Sequence, residues 1–377
     1  MKFRVERDVL AEAVTWVARG LPARPPVPVL AGLLLEASTD GELTLSAFDY
    51  EVSARITVPA EVGEAGTVLV LGRLLADISK NLPNKPVDVG LDGSKVQVTC
   101  GSSRFALLQM PVGDYPTLPT SPSPSGTIEG PTFTQAVQQV AIAADRGDTL
   151  PILTGVRVEV DGERMTLLAT DRYRLAMREI TWNPSASDAS HVALVPARTL
   201  LDTARSLGAA GTVDLALGDA AGGEGLVGFE AGRRRTTSRL LDGEYPKVSK
   251  IFPASTETDA VVSTHELVEA VKRVALVAER NTPVRLRFTE GSVAIEAGTG
   301  DDAQASEAVE ATVTGPDLEI AFNPGYLLDG LGALGTTFTR LGFTAPLKPA
   351  MITGQDTIEA EADTSYRYVL QPVRLAG

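Results

Sequence analysis

Leu150–Ala176 reads LPILTGVRVEVDGERMTLLATDRYRLA, and its pattern decides the fold. Two strand-like runs flank an Asp161-Gly162 turn, a hairpin signal. A polar corner follows, Thr170-Asp171-Arg172-Tyr173-Arg174, closed by Leu175. Much of this stretch is written once before. Pro28-Val29-Leu30-Ala31-Gly32 matches Pro151-Ile152-Leu153-Thr154-Gly155, Asp40-Gly41-Glu42 matches Asp161-Gly162-Glu163, and Ala47-Phe48-Asp49 matches Ala169-Thr170-Asp171. Gly32 and Gly155 are 123 residues apart, Asp49 and Asp171 122. Solenoid periods run to roughly 20–50 residues, so this spacing implies duplicated domains.

The helical pattern recurs three times. Leu10, Ala13, Val14 and Val17 form one apolar stripe at i, i+3, i+4, i+7, with Asp8 as the expected N-cap. The stripe returns as Phe133, Ala136, Val137, Val140 and as Leu267, Ala270, Val271, Val274, the last with Ser263 or Thr264 as cap. Each stripe leads to a hairpin with an acidic-glycine turn, at Asp40-Gly41, Asp161-Gly162 and Glu290-Gly291. Second helices then start near Arg73-Leu74, Thr199-Leu200 and Tyr326-Leu327, and the three leucines are 126 and 127 residues apart. The repeats also close alike, at Leu107–Pro111 before Asp114-Tyr115-Pro116, at Ser238–Leu241 before Glu244-Tyr245-Pro246, and at Val369–Leu375. Ser121–Gly126 reads as a linker and Pro253–Asp259 as a second. The expected domains are 1–120, 127–252 and 258–377. Segregated helices and hairpins imply an α+β class with antiparallel sheets.

Composition sets bounds. A chain of 377 residues, 44% apolar and 22% charged, is an ordinary globular chain of two or three domains. The one cysteine, Cys100, has no partner for an internal disulfide and reads as a core residue, which fits a reducing, cytoplasmic compartment. The N-terminus lacks a secretory pattern, and no run of about 18 apolar residues predicts a membrane span. The net charge of −14 opposes nucleic acid only on average, because an acidic protein can carry a local basic surface. His191 and His265 stand in different repeats, and no zinc spacing, phosphate loop or nucleophile elbow is present. Gly218–Gly228 reads as a loop. Asp49 and Asp171 recur at equivalent corners, which favours a turn role over acid–base work; a nuclease using them, and a purely structural oligomer, are the rival readings.

Three copies of one α+β unit without catalytic residues resemble the bacterial DNA sliding clamps, the beta subunits of the replicative DNA polymerase III. The marks are Met1-Lys2-Phe3, Arg24 with Pro28-x-Leu30-x-Gly32, Arg104-Phe105, Ala169-Thr170-Asp171-x-x-Arg174-Leu175-Ala176, Glu244-Tyr245-Pro246, Phe322-Asn323-x-x-Tyr326-Leu327-Leu328-Asp329 and the tail Tyr368–Leu375. The resemblance spans the whole chain. It implies helices on one face of the sheets and a head-to-tail homodimer forming a six-domain ring around double-stranded DNA. It also implies no cofactor, no metal and no enzymatic activity, and loading by a clamp loader.

By the same resemblance, DNA contacts fall to Arg24, Arg73, Lys80, Arg146, Arg198, Arg205 and Arg280, with Arg19, Lys272 and Arg273 nearby. The dimer seam falls to Arg104, Phe105 and Leu107 against Leu276 and Val277, with Arg104 reaching an acid in Asp301–Glu307. A peptide-binding pocket is expected to receive the polymerase catalytic subunit, the clamp loader, and other polymerases and repair proteins. Its residues are Leu153, Thr170, Arg172, Tyr173, Arg174 and Leu175; then Pro246, Lys250 and Ile251; then Asn323, Tyr326, Leu347 and Pro349; and finally Val369, Leu370, Gln371, Pro372, Val373, Arg374 and Leu375. The family commonly has methionine at the position of Gln371, so a second clamp copy that evades an inhibitor is the alternative function.

Overall fold

The computed structural model describes residues 1–147, 149–218, 225–248, 251–253, 255–278, 282–298 and 303–374. It divides into two compact units. One holds Met1–Pro131, Asn183–Ala189 and Asp202–Leu240; the other holds Thr132–Trp182, Ser190–Leu201 and Leu241–Gly377. This division cuts through the second repeat, because each unit contains a sheet that runs from one repeat into the next. The first unit has a five-stranded and a nine-stranded sheet, the second a twelve-stranded sheet. Every strand pairing among the described residues is antiparallel.

The helices are α1 (Arg7–Ala18), α2 (Gly72–Asn81), α3 (Gly130–Ala141), α4 (Ala197–Leu207), α5 (Thr264–Val274) and α6 (Pro324–Leu334). All three apolar stripes are buried, and removing that surface from water holds the helices on the sheets. Ser263 caps α5 by accepting the Glu266 N–H at 3.4 Å. Asp8 does not cap α1. The strand Lys2–Val5 leads straight into the helix, so Glu6 takes the cap position and Asp8 sits in the first turn, paired with Arg7 at 2.9 Å. Gly41, Gly162 and Gly291 turn the hairpins with φ of 78°, 58° and 81°. Cys100 is buried, its thiol 3.2 Å from the carbonyls of Pro83 and Lys85. The expected linkers shorten: Gly126 already begins the strand Gly126–Glu129, and Thr258 the strand Thr258–Ser263. Residues 219–224 of the glycine-rich stretch lie outside the described residues, while Leu226–Ala231 is a strand.

Each of the first two repeats is pinned at its corner. Asp49 Oδ1 accepts the N–H groups of Glu51 and Val52 at 3.0 and 2.7 Å. Asp171 Oδ1 does the same for Tyr173 and Arg174, both at 3.0 Å. The residue after each aspartate, Tyr50 or Arg172, has φ of 78° or 79°, a strained value for a side-chain-bearing residue. A tyrosine from further along fastens each corner: Tyr115 Oη accepts the Phe48 N–H at 2.8 Å and Tyr245 Oη the Thr170 N–H at 2.9 Å. The aspartates therefore serve the turn.

From each corner a strand runs out to pair with the closing strand of the following repeat. Val52–Pro59 pairs with Arg234–Arg239, Val52 opposite Ser238. Arg174–Thr181 pairs with Asp363–Leu370, Arg174 opposite Leu370. Val52 and Arg174 each stand third after their aspartate, so the two junctions share one register.

Tyr245→Phe leaves the buried Thr170 N–H without its acceptor, at a cost of about 1–3 kcal/mol. Calorimetry should show the unfolding midpoint of that variant lowered by several degrees; an unchanged midpoint would mean that the corner is held by something else. Burial pushes the Tyr115 phenol up to about 12, and the Tyr245 phenol upward too. The unfolded phenols ionise near 10, so this contribution is complete below pH ~10 and is lost as pH rises from ~10 towards the folded values. Chemical unfolding measured across that window should show the decline, and the Tyr→Phe variants should flatten it.

Candidate functional site

The second unit gathers the Asp171 corner, the start of α6 and the chain beyond the last strand. Arg174 anchors them. Its guanidinium is buried, donates from Nε to Asp171 Oδ2 at 2.9 Å and from Nη1 to Asp329 Oδ2 at 2.6 Å, and lies 4.3 Å above the Tyr326 ring. Burial acts against its charge, but the hydrogen bond to Asp329 and its other neighbours outweigh this and drive the pKa above the usual arginine value. Two carboxylates and a ring face satisfy a cation that would be costly to bury alone.

Tyr326 is itself fixed. Asn323 Oδ1 accepts its N–H at 3.1 Å as the cap of α6, Pro324 takes the first helical position, and Tyr368 Oη donates to its carbonyl at 2.8 Å. Tyr173, 55% exposed, stacks on the Tyr326 ring with centroids 6.2 Å apart. The tail is stitched on both sides: the Gln371 N–H donates to Tyr173 O at 2.9 Å and the Val373 N–H to Ala321 O at 2.8 Å. Pro372, between them, has no N–H to satisfy.

Beneath lies an apolar cluster of Leu153, Leu168, Leu175, Met177, Leu194, Tyr245, Val248 and Val369, against which Leu150, Ile152, Leu241 and Phe252 pack half-buried. The expected pocket residues thus separate into two sets. Leu153, Thr170, Arg174, Leu175, Val369 and Leu370 are buried, so they support the site rather than line it. Arg172, Tyr173, Pro246, Ile251, Leu347, Gln371 and Arg374 are exposed, with Asn323, Tyr326, Pro349, Pro372 and Val373 half-buried. Lys250 and Leu375 lie outside the described residues. Sequence reasoning passed over Ile152, Leu241, Phe252, Asp171 and Asp329 as members of this site. Ile152, Leu241, Asp171 and Asp329 all stand inside repeated or quoted motifs, which was the signal available.

The expected DNA residues are exposed where described. In the first unit Arg24 follows α1, Arg73 and Lys80 sit on α2 and Arg205 on α4. Arg73 Nη2 donates to Leu21 O at 3.3 Å. A surface cavity of about 450 Å³ on α1 brings Lys80 together with Arg7, Arg19 and Arg234, beside Asp8 and Glu12. In the second unit Arg146 and Arg198 are exposed. Arg280 lies outside the described residues.

Of the seam residues, Arg104 and Phe105 are exposed on Ser103–Leu108, the edge strand of the five-stranded sheet. Leu107 is a correction. It is 4% exposed and belongs to its own core, while Leu108, on the opposite face, is 68% exposed. Leu276 is 83% exposed and Val277 half-buried, on the turn Ala275–Val277 after α5, so Leu276 is not core. Glu307 is held by Arg273 within the chain, and residues 301 and 302 lie outside those described. Among the described residues no group of three or more His, Cys, Asp or Glu could hold a metal ion, and no helix is long and apolar enough to cross a membrane.

Comparison with known proteins covers nearly the whole chain. The N-terminal, central and C-terminal domain models of the DNA polymerase III beta subunit match residues 1–119, 127–247 and 249–373. The Beta sliding clamp of Streptomyces coelicolor is 59% identical over 377 residues, 100% of both chains. The Beta sliding clamp homolog GriR of Streptomyces muensis is 49% identical over 375 residues, 99% of each. A crystal structure of a sliding clamp, DNA polymerase III subunit beta, from Pseudomonas aeruginosa bound to griselimycin superposes with a TM-score of 0.92 at 30% identity over 100% of both chains.

Arg174→Ala strands the buried Asp171 carboxylate and unlocks α6 from the corner. Breaking a buried pair from one side costs about 3–5 kcal/mol, so a lower thermal midpoint and faster amide exchange at Gln371 and Val373 are expected. Asp329→Asn, on a residue whose side chain is 43% exposed, should cost less. Equal losses would contradict this division of roles.

Proposed function

Because the chain belongs to the DNA polymerase III beta subunit family, we propose that two copies close head to tail around duplex DNA and tether the replicative polymerase catalytic subunit to it. The chain is a DNA polymerase processivity factor and makes or breaks no bond. Tethering acts through effective concentration, since a partner released from DNA stays near and rebinds. The place of action is the cytoplasm.

A pairing rule carries the proposal. In both junctions the strand leaving a corner pairs with the closing strand of the following repeat, in one register. The third repeat has such a strand, Ala305–Thr314, whose first residues pair on one side with Ser292–Ala297. The first repeat has a closing strand, Ser103–Leu108, at a sheet edge. Applied once more, to a second copy, the rule sets Phe105 of one chain opposite Ala305 of the other and Ser103 opposite Glu307. Two such junctions close the ring, abolish both sheet edges and cover Leu276. Exposed arginines and lysines on the helices then meet phosphates without reading sequence. The groove of the second unit, with Tyr173, Ile251 and the stitched tail around an apolar floor, suits a short linear peptide of the polymerase, the clamp loader or a repair protein.

Retention on DNA tests the whole reading: with an ATP-driven loader the protein should stay on nicked circular plasmid and run off once the plasmid is linearised. Equal loss from both forms would overturn it. For the seam, Phe105→Cys with Ala305→Cys should give a disulfide-linked dimer under oxidation, while Phe105→Cys with Glu307→Cys, two residues out of register, should not. For the groove, deleting residues 371–377 should abolish fluorescence-polarisation binding of a labelled polymerase peptide yet leave the dimer intact, and Gln371→Met should change affinity only a few fold. Unchanged affinity in the truncated dimer would place the peptide elsewhere.

A further inference from the structure

The first unit contains a second groove built on the same plan. A cavity of about 220 Å³ is lined by Phe48, Tyr50, Glu51, Pro116, Pro119, Leu226, Arg239 and Thr117. Counting from the corner aspartates, Phe48, Tyr50 and Glu51 occupy the positions of Thr170, Arg172 and Tyr173. Counting from the shared register, Arg239 occupies that of Gln371, and Pro116 follows its corner tyrosine as Pro246 does. The backbone clasp is repeated as well: the Arg239 N–H donates to Glu51 O at 2.9 Å, as the Gln371 N–H does to Tyr173 O at 2.9 Å. The strained corner residue is here an aromatic one. Tyr50 is 45% exposed and meets the buried Phe48 edge-on, centroids 5.8 Å apart.

The geometry points to a second peptide-binding site at this junction, taking a short extended segment whose apolar pair is flanked by a basic and an acidic residue. This rests on the peptide reading of the groove in the second unit. The cavity is smaller than the roughly 300–1,000 Å³ of small-molecule pockets, and a volume of about 220 Å³ suits one or two side chains of a chain laid across the corner. Its walls are two aromatic rings, two prolines and a leucine, the lining that extended segments use. Its charged groups are Glu51 and Arg239, whose charges cancel. Nucleic acid requires a basic surplus that is absent from this lining, whereas a peptide with one residue of each sign complements both.

The probe is the capped tetrapeptide Lys-Leu-Phe-Glu, titrated into the full-length protein carrying 3-fluorotyrosine and followed by fluorine NMR, with the Tyr50 resonance assigned from Tyr50→Phe. A saturable shift of Tyr50 is expected. It should persist when residues 371–377 are deleted, disappear in Leu226→Lys while the Tyr115 resonance stays in place, and weaken about threefold or more in Glu51→Lys, a surface change that leaves the core alone. The proposal is overturned by a Tyr50 resonance that does not move or does not saturate, by one that saturates equally in both variants, or by its displacement with oligothymidylate. If a polymerase peptide moves Tyr173 and Tyr326 while the tetrapeptide leaves Tyr50 still, this site alone falls. If the polymerase peptide moves neither, the earlier reading falls, and Tyr50 still decides this one.

Discussion

The corner aspartate is the constraint on which the rest depends. One carboxylate oxygen accepts two successive N–H groups, that of the last turn residue and that of the first residue of the next strand. This holds a non-glycine residue at positive φ and fixes where the next strand starts. Because side chains alternate along a strand, a slip of one residue would turn every inward side chain outward. The corner therefore sets the junction register, the register sets which residue of the closing strand meets the corner, and that places the clasps at Arg239 and Gln371. A tyrosine hydroxyl secures each corner from a segment that crosses it later in the chain, so the turn is held from two directions.

Charge is distributed to match. The excess of acid, −14 over the chain, coexists with a cavity at α1 that collects three arginines and a lysine. Among the described residues the one thoroughly buried guanidinium, Arg174, is neutralised on site by Asp171 and Asp329. Exposed pairs such as Lys272–Glu269 and Arg4–Asp88 contribute little to stability.

Repetition made the fold legible. Stripes, acidic-glycine turns and second helices recurred at near-constant spacing, and all three sets became buried stripes, hairpins and helices. What stayed illegible was direction. Leu107-Leu108 is a pair of equal residues, and only the pairing of their strand with Lys95–Cys100 decides that Leu107 points inward. Likewise Leu153, Leu175 and Val369 stand in repeated or family motifs, yet they are buried beneath the groove, because an apolar residue in a motif does not announce which layer it occupies. Arg174 looked like a groove wall. Its burial depends on Asp329, 155 residues away, a contact that no local pattern encodes. Asp8 stands two residues past the cap, at Glu6, because the strand before it runs directly into the helix.

The two junctions share a backbone plan but differ in how they are locked. Asp202 stands on α4 where Asp329 stands on α6, each two residues after the matching leucine, Leu200 or Leu327. In the second unit Arg174 spans from the corner to that aspartate. In the first unit the corresponding corner residue is Val52, and Asp202 remains exposed. The second junction thus couples its corner to the helix of the following repeat by a charged hydrogen bond and a ring stack. The first relies on the aspartate turn, the tyrosine hydroxyl and the clasp at Arg239. A lock of this kind fixes the Tyr326 ring over Arg174, and with it the stacked ring of Tyr173. Where that lock is missing, the corner ring is that of Tyr50, which meets Phe48 edge-on. Val52, Thr199 and Glu51 stand in the first junction where the second has Arg174, Tyr326 and Tyr173, so the charged, ring-stacked lock belongs to the second alone.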